Sequence, residues 1–271
     1  MNAGPPKVMG VVNVTPDSFS DGGRFLDFDA ALAQARRLVA DGADIIDIGG
    51  ESTRPGAQPV SEADELARIL PLIEALKAET DLPVSIDTMK PAVARAAVQA
   101  GATIWNDVTA LGYAPDSLPA AAELGCTVIL MHMQGTPRTM ARDPRYDDVV
   151  SEVAAFLEAR AQAAKAAGVG RERIWLDPGI GFGKTAEHNL TLLAHLEPIV
   201  ALGFPVVLGV SRKRFIGAVD PSAAARAGDR LGGSVAAALA GARAGVAVVR
   251  VHDVRETRQA LAVQAAIEAA G

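Results

Sequence analysis

The chain repeats one hydrophobic pattern along its whole length. A short, almost continuous apolar run is followed by a polar or glycine-rich stretch, and then by an alanine- and leucine-rich segment with helical spacing. Continuous apolar runs are typical of strands that are covered on both faces. The predicted strands are residues 7–13, 44–49, 83–87, 103–107, 127–132, 173–177, 205–210 and 247–252.

The segments between these strands carry signals for the ends of helices. Ser61 with Asp64 three residues later is typical of a helix N-terminus, and a glycine follows almost every predicted helix as a stop signal. The predicted helices are residues 29–41, 61–80, 90–100, 115–124, 147–167, 187–202, 226–244 and 254–270.

Strict alternation of strands and helices predicts an α/β protein with a parallel sheet and right-handed crossovers. About eight such units favour a closed (β/α)8 barrel, a TIM barrel, over an open doubly wound sheet. A chain of 271 residues that is 49% hydrophobic is sufficient for a single barrel domain over residues 1–271.

Composition excludes several classes of protein. No apolar run is long enough to span a bilayer, and the first residues do not resemble a signal peptide. The single cysteine, Cys126, excludes an internal disulfide framework, so a cytoplasmic location is expected. A net charge of -6 argues against a nucleic-acid partner. The expected partners are therefore small molecules.

Polar residues gather at the C-terminal ends of the predicted strands, where barrel enzymes place their chemistry. One acidic residue there is often only a helix cap, and capping is an alternative role for Asp87, which precedes Thr88 and a predicted helix. The convergence of so many polar residues on the C-terminal rim of the barrel favours a ligand-binding site over a set of helix caps. The set is Asn13, Asp47, Asp87, Asn106, Asp107, His132, Asp177, Ser211, Arg212, Lys213, Arg250 and His252.

Two long loops, residues 14–25 and 50–60, follow the first two strands and are typical of binding loops. Thr53 and Arg54 in the second loop suit an anionic substrate. The glycine-rich segment 177–183 lacks the Walker spacing, which favours close approach of a flat ligand over a nucleoside triphosphate site. His188 and His195, on a predicted helix, are expected to be structural.

The residue chemistry indicates a ligand with two different ends. Carboxylate, amide and ammonium groups can hydrogen-bond the edge of a polar heterocycle whose faces are covered by apolar side chains. Asp87, Asn106, Asp177 and Lys213 are the polar candidates, and Met131 and Phe182 are the apolar ones. A polyanion would be held by Asn13, Thr53, Arg54, Arg250 and His252.

The chain resembles the dihydropteroate synthase family, the folate-pathway enzymes that sulfonamides inhibit. The motifs that carry the resemblance are MGVVNVTPDSFSDGG, GADIIDIGGESTRPG, SIDT, NDV, MHMQG, LDPGIGFGK, GVSRKRFIG and RVHDV. They occur in the family's order over nearly the whole chain. The resemblance implies a TIM-barrel transferase that condenses 6-hydroxymethyl-7,8-dihydropterin diphosphate with 4-aminobenzoate, releasing pyrophosphate.

The resemblance also implies roles for single residues. It assigns the pterin ring to Asp87, Asn106, Asp177 and Lys213, packed by Met131 and Phe182, and the diphosphate to Asn13, Thr53, Arg54, Arg250 and His252. It implies a Mg²⁺ cofactor at Asn13, and 4-aminobenzoate beside Phe19, Asp21, Pro55, Ser211 and Lys213. Lys213, Arg54, Asp21, Arg250 and His252 are the expected catalytic residues. A homodimer is also expected.

Two other functions stay open. A corrinoid-dependent methyltransferase that binds methyltetrahydrofolate would use the pterin-binding acids but would not need Arg54, Arg250 and His252 together. A non-catalytic pterin-binding relative would typically have lost loop residues. In this chain both long loops are intact.

Overall fold

A computed structural model of the chain describes residues 4–14, 24–53, 56–140 and 142–270. Its strands are β1 (Lys7–Asn13), β2 (Ile45–Gly49), β3 (Val84–Asp87), β4 (Ile104–Asp107), β5 (Thr127–Met131), β6 (Ile174–Asp177), β7 (Val207–Gly209) and β8 (Val248–Val251). Its helices are α1 (Arg24–Ala40), α2 (Glu62–Glu79), α3 (Pro91–Gln99), α4 (Ser117–Leu124), α5 (Val149–Ala166), α6 (Ala186–Ala194), α7 (Glu197–Val200), α8 (Arg214–Val219), α9 (Leu231–Arg243) and α10 (Val254–Ala270).

The eight strands form one parallel sheet in the order β6-β5-β4-β3-β2-β1-β8-β7. A parallel bridge between Leu176 and Val206 joins β6 to the residue before β7. This bridge brings the two ends of the sheet together, so the architecture is the predicted (β/α)8 barrel rather than an open sheet. None of the helices in the described ranges is long and apolar enough to cross a membrane.

Side chains alternate along each strand between the helices and the barrel interior. In β2, Ile46 and Ile48 belong to the core between strands and helices, whereas Ile45 belongs to the core inside the barrel. The interior core consists of Met9, Ile45, Ile104, Ile129, Val207 and Val248. Two residues nearer the C-terminal end, the same inward side carries Asp47, Asp87, Asn106, Met131, Asp177, Gly209 and Arg250.

The predicted helix ends are largely confirmed. The Ser61 side chain caps α2 by accepting a hydrogen bond from the Asp64 backbone N–H. Glycines that follow the helices have positive φ, for example 91° at Gly42 and 105° at Gly168. Only glycine adopts this conformation without strain, so these residues end the helices as expected.

Three predicted elements differ from the structure, and one observed helix has no predicted counterpart. Residues 187–202 form two helices rather than one, because Pro198 in the first turn of α7 cannot continue α6. The helix predicted over 226–244 begins only at Leu231, after a short 3-10 turn. The first helix begins at Arg24, inside the predicted loop, and the six-residue α8 was not predicted because it is too short to show helical periodicity.

The predicted structural role is confirmed for His188. His188 completes a capping box with Thr185 at the start of α6. His195 is the residue at which α6 ends.

Candidate active site

A cavity opens at the C-terminal ends of the strands, and it collects most of the predicted ligand-binding residues. Its lining side chains come from seven strands, β2 to β8, or the loops that follow them. They include Thr53, Asp87, Asn106, Met131, Asp177, Phe182, Lys213 and Arg250. Val108, Gly179, Ile180 and Gly209 complete the lining.

Arg250 bridges two carboxylates across the mouth of the barrel. Its Nε lies 2.6 Å from Asp47 Oδ2, and its Nη2 lies 2.8 Å from Asp87 Oδ2. Burial alone would lower the pKa of Arg250, but the two carboxylates raise it, so the guanidinium stays charged. Burial raises the pKa of Asp87, and Arg250 opposes that shift. The Asn106 amide also lies near Asp47, at 3.4 Å.

Asp177 and Lys213 stand on the opposite side of the cavity. Asp177 Oδ1 accepts a hydrogen bond of 2.7 Å from the Gly179 backbone N–H. Lys213 Nζ lies 4.1 Å from the centre of the Phe182 ring, a cation–π contact. Burial lowers the pKa of Lys213 to about 8, although the nearby carboxylate of Asp177 opposes the shift. Acceptors, a donor and an aromatic face therefore surround one small space.

The glycine-rich loop after β6 is folded around a buried lysine. Lys184 Nζ lies 3.0 Å from the carbonyl oxygens of both Gly179 and Phe182, and 2.8 Å from His132 Nδ1. Burial lowers the pKa of Lys184 to about 7. An ammonium group engaged by its own loop is not in the position of a Walker lysine, which agrees with the weak sequence match to that motif.

Gly179 is required by packing in this loop. Its φ is 67°, and a Cβ atom added there would lie 1.9 Å from the His132 carbonyl oxygen. We expect Gly179→Ala to lower the free energy of unfolding by about 1–3 kcal/mol, because the residue would have to leave a strained conformation or push β5 aside. Urea unfolding followed by circular dichroism measures this change.

Gly181→Ala is the matched control for that prediction. Gly181 also has a positive φ, 84°, but an added Cβ would meet only the flexible Lys213 side chain, with Cδ 3.1 Å away. We therefore expect a smaller loss of stability. Equal losses in the two variants would contradict the packing argument.

Ser211 and His252 meet beside the cavity, at the ends of β7 and β8. Ser211 Oγ lies 3.0 Å from His252 Nδ1 and 3.2 Å from the His252 backbone nitrogen. Burial, followed by the charges of Arg212 and Arg250, lowers the pKa of His252 to about 3. The neutral ring can offer Nε2 to a ligand while Ser211 holds Nδ1.

The predicted Mg²⁺ ligand, Asn13, lies at the mouth of the barrel. Gly49 on β2 separates it from Asp87, since a Cβ at Gly49 would be 3.6 Å from Asn13 Oδ1 and 3.5 Å from Asp87 Cβ. The described part of the chain holds no group of three His, Cys, Asp or Glu residues suited to a metal ion. One amide oxygen fits a Mg²⁺ ion that arrives with phosphate oxygens and keeps its waters, rather than a resident metal.

Four predicted site residues cannot be compared with the structure, and the capping alternative for Asp87 is excluded. Phe19, Asp21, Arg54 and Pro55 lie outside the described residues. Asp87 is not a helix cap, since α3 is preceded by Lys90 without a side-chain cap and Asp87 binds Arg250.

Asp107, also a polar strand end, stabilises the turn that follows β4. It points away from the barrel interior and accepts hydrogen bonds from the backbone N–H groups of Thr109 and Leu111. It is therefore a structural residue of the loop after β4 and not part of the cavity.

Two further site residues had no role in the sequence prediction. Asp47 was noted only as a polar strand end, although its position two residues after the inward-facing Ile45 indicates that it faces Arg250. Lys184 directly follows the glycine-rich segment 177–183, whose spacing does not fit the Walker motif. Nothing in the sequence signals that its ammonium binds the carbonyls of residues 179 and 182.

The sequence matches the family of pterin-binding enzymes over residues 9–252. The dihydropteroate synthase of Escherichia coli K12 is 46% identical to it over 261 residues, covering 95% of this chain and 90% of that protein. The chain belongs to the dihydropteroate synthase family. It is therefore an enzyme of the transferase class, as its relatives are.

Solved structures of dihydropteroate synthases have the same fold. The Xanthomonas albilineans enzyme with 4-aminobenzoic acid superimposes with a TM-score of 0.92 at 51% identity, covering 98% of this chain and 94% of that one. The enzyme of the same organism in complex with 7,8-dihydropteroate gives a TM-score of 0.88 at 49% identity, with 98% and 94% covered. The barrel and the family assignment thus agree.

Proposed function

We propose that the chain condenses 6-hydroxymethyl-7,8-dihydropterin diphosphate with 4-aminobenzoate to give 7,8-dihydropteroate and pyrophosphate. The observation that carries this proposal is the convergence of Asp87, Asn106, Asp177 and Lys213 in one cavity, beside Phe182 and Met131. Relatives of closely similar fold bind 4-aminobenzoic acid and 7,8-dihydropteroate. The chemistry of this cavity matches both ligands.

The pterin end is recognised by hydrogen bonds of matched polarity. The Asp177 carboxylate accepts the two parallel N–H bonds of a 2-amino-pyrimidinone edge, and Asn106 both donates to and accepts from an adjacent ring atom. Lys213 donates to the ring carbonyl or nitrogen, and Met131 and Phe182 cover the faces. Burial raises the pKa of Asp177, so a ligand that supplies donors restores the carboxylate.

The diphosphate end is held by Thr53, Arg54, Arg250 and His252, with Asn13 as the protein ligand of Mg²⁺. When bound, Mg²⁺ stabilises the negative charge that develops on the leaving pyrophosphate. Neutral His252 donates an N–H toward the same oxygens, and the guanidinium groups add fixed positive charge. Arg250 reaches the substrate from between Asp47 and Asp87, so it links the two ends of the site.

Departure of pyrophosphate precedes amine attack in this proposal. The reacting CH₂ adjoins an electron-rich reduced ring, which delocalises the positive charge that is left, and Asp87 and Asp177 favour that cation. The amine of 4-aminobenzoate is uncharged and requires positioning rather than a strong base. The residues proposed to surround 4-aminobenzoate are Phe19, Asp21, Pro55, Ser211 and Lys213. A secondary deuterium isotope effect near unity at the CH₂ would contradict this order.

Pyrophosphate release is the experiment that tests the function. The chain is incubated with the pterin diphosphate, with and without 4-aminobenzoate and Mg²⁺, as wild type and as Lys213→Ala. Release that depends on 4-aminobenzoate, requires Mg²⁺ and is much weaker in the variant is the expected result. No release together with tight pterin binding would favour a non-catalytic or methyl-transferring pterin protein.

The titration of Lys213 predicts the alkaline limb of the pH profile. Since burial places its pKa at about 8, the ammonium loses its proton above that pH, and kcat/KM is expected to fall there. Lys213→Arg keeps its charge at all accessible pH values, so this limb should be absent even though its activity is lower. An identical limb in both enzymes would assign the titration to another group.

We also propose that the chain acts as a homodimer and that sulfonamides occupy its 4-aminobenzoate site. The exposed apolar residues Val263 and Ile267 on α10 are consistent with a covered helical face. A Yersinia pestis dihydropteroate synthase, 44% identical with a TM-score of 0.92, has been solved with a sulfonamide drug complex. The expected cytoplasmic location stays a prediction.

A further inference from the structure

Arg212 has a strained backbone conformation between two proposed substrate-binding residues, Ser211 and Lys213. Its φ is 60°, in the left-handed region that residues with a Cβ atom rarely adopt. Such strain persists only where surrounding contacts hold it, and it is concentrated at functional sites. The contacts of Arg212 therefore indicate the role of this backbone conformation.

The backbone of Arg212 is held on both sides of the residue. Its N–H donates to Ser234 Oγ at 2.8 Å, and its carbonyl oxygen accepts from Arg230 Nη1 at 3.0 Å. Ser234 is buried, and its hydroxyl donates in turn to the Arg230 carbonyl oxygen at 2.7 Å. The start of α9 thus fixes the course of the loop between β7 and α8.

The side chain of Arg212 connects this loop to the loop after β8. Its Nη2 lies 2.6 Å from Asp253 Oδ1, and its Nε lies 3.1 Å from Asp253 Oδ2. A two-pronged pair of this kind restricts orientation as well as distance. The preceding residues are also paired, because Ser211 hydrogen-bonds His252. Two consecutive residues of one loop therefore bind two consecutive residues of the other.

We propose that Arg212 is a positioning residue that locks the loop carrying Lys213 to the loop carrying His252. The clamp consists of the Arg212–Asp253 and Ser211–His252 pairs. It rests on the proposed function, in which Lys213 serves the pterin end of the substrate and His252 serves the diphosphate end. The clamp holds these two groups at one separation before the substrate binds, so little reorganisation is needed for the bond to break.

Arg212 also affects the charge state of His252. The groups that face the His252 ring are Arg212, Arg250, Lys213 and Asp253, and Ser211 occupies its Nδ1. Among the charged groups, only Asp253 raises the pKa of His252, while burial and the three cations lower it. Loss of the Arg212 charge therefore shifts this pKa upward, which gives a measurement that does not depend on turnover.

Three variants test the clamp. Arg212→Gly accepts the positive φ without strain and removes the guanidinium. Arg212→Lys keeps the positive charge but cannot bind both Asp253 oxygens. Asp253→Asn removes the negative charge of the partner. Arg258→Ala is the control, since Arg258 binds Asp44 at 2.9 Å near the other end of β2. Each is assayed for kcat and both KM values, for thermal unfolding, and for His252 titration by NMR.

We expect Arg212→Gly and Arg212→Lys to lower kcat on the order of 10- to 100-fold with little change in either KM, because both lose the two-pronged pair. Asp253→Asn should also lower kcat, and it replaces Arg212→Gly as the test if that variant does not fold. His252 should titrate at higher pH in Arg212→Gly but not in Arg212→Lys. Arg258→Ala should leave both kcat and the His252 titration unchanged.

Two kinetic results and one NMR result would overturn the clamp. One is an unchanged kcat in Arg212→Gly, and the other is an equal loss of kcat in Arg258→Ala, which would indicate a general effect of destabilisation. The NMR titration requires no substrate, so an unmoved His252 in Arg212→Gly also counts against the clamp. Failure of the wild type to release pyrophosphate would count instead against the proposed function.

Discussion

Asp177→Asn is expected to lower kcat/KM for the pterin diphosphate roughly 10²- to 10³-fold. In the wild type, Asp177 Oδ1 accepts from the Gly179 N–H, and the carboxylate borders the cavity. A carboxylate accepts both N–H groups of the ligand edge, whereas an asparagine must place its own NH₂ against one of them. One hydrogen bond is lost and two donors face each other in a buried site.

The measurement is steady-state pyrophosphate release, together with calorimetric binding of the pterin. Asp148→Asn is the control for a carboxylate-to-amide change, because Asp148 caps α5 at the surface and an amide oxygen can also accept the bonds from Val150 and Ser151. We expect the control to retain wild-type activity. Unchanged pterin affinity in Asp177→Asn would contradict the assigned role of Asp177.

Arg250→Met is expected to lower the free energy of unfolding by about 3–5 kcal/mol, in addition to abolishing most activity. The Arg250 side chain is only 20% exposed, and its partner Asp47 is fully buried. Removing the guanidinium leaves Asp47 and Asp87 as neighbouring buried acids with no cation between them. Most of the loss comes from those unpaired groups, not from the guanidinium itself.

The double variant Arg250→Met/Asp47→Asn separates stability from activity. Neutralising Asp47 removes one unpaired acid, so part of the lost stability should return in urea unfolding. Activity should not return, because the cation that faces the diphosphate is still missing. If the double variant were no more stable than Arg250→Met, the ion pair would not account for the loss.

The identity of the inward-facing residues follows from the sequence once one residue in each strand is placed in the core. Ile45, Ile104 and Val248 are apolar and buried inside the barrel. With a side-chain period of two, Asp47, Asn106 and Arg250 must face the same interior, nearer the C-terminal end. Strand ends, glycine stops and the convergence of polar residues were predictable for this reason.

The sequence pattern was less informative about the boundaries of short helices. Residues 187–202 have one continuous helical pattern, and the break at His195 depends on Pro198 in the next helix. The six residues of α8 contain less than two helical turns, too few to show a period of 3.6. Such boundaries depend on how neighbouring elements pack and not on pattern alone.

The sequence by itself determined the barrel, the inward-facing positions of its strands and the family. The barrel and these positions follow from a hydrophobic pattern that each strand carries locally, and the family follows from the motifs and their order along the chain. Only the tertiary structure decided how the polar residues are paired. Arg250 meets Asp47 and Asp87 across the barrel, Lys184 meets His132 at the end of β5, and the Arg212 side chain binds Asp253 after β8. These pairings join loops that are adjacent only after the barrel has closed, so no local pattern records them.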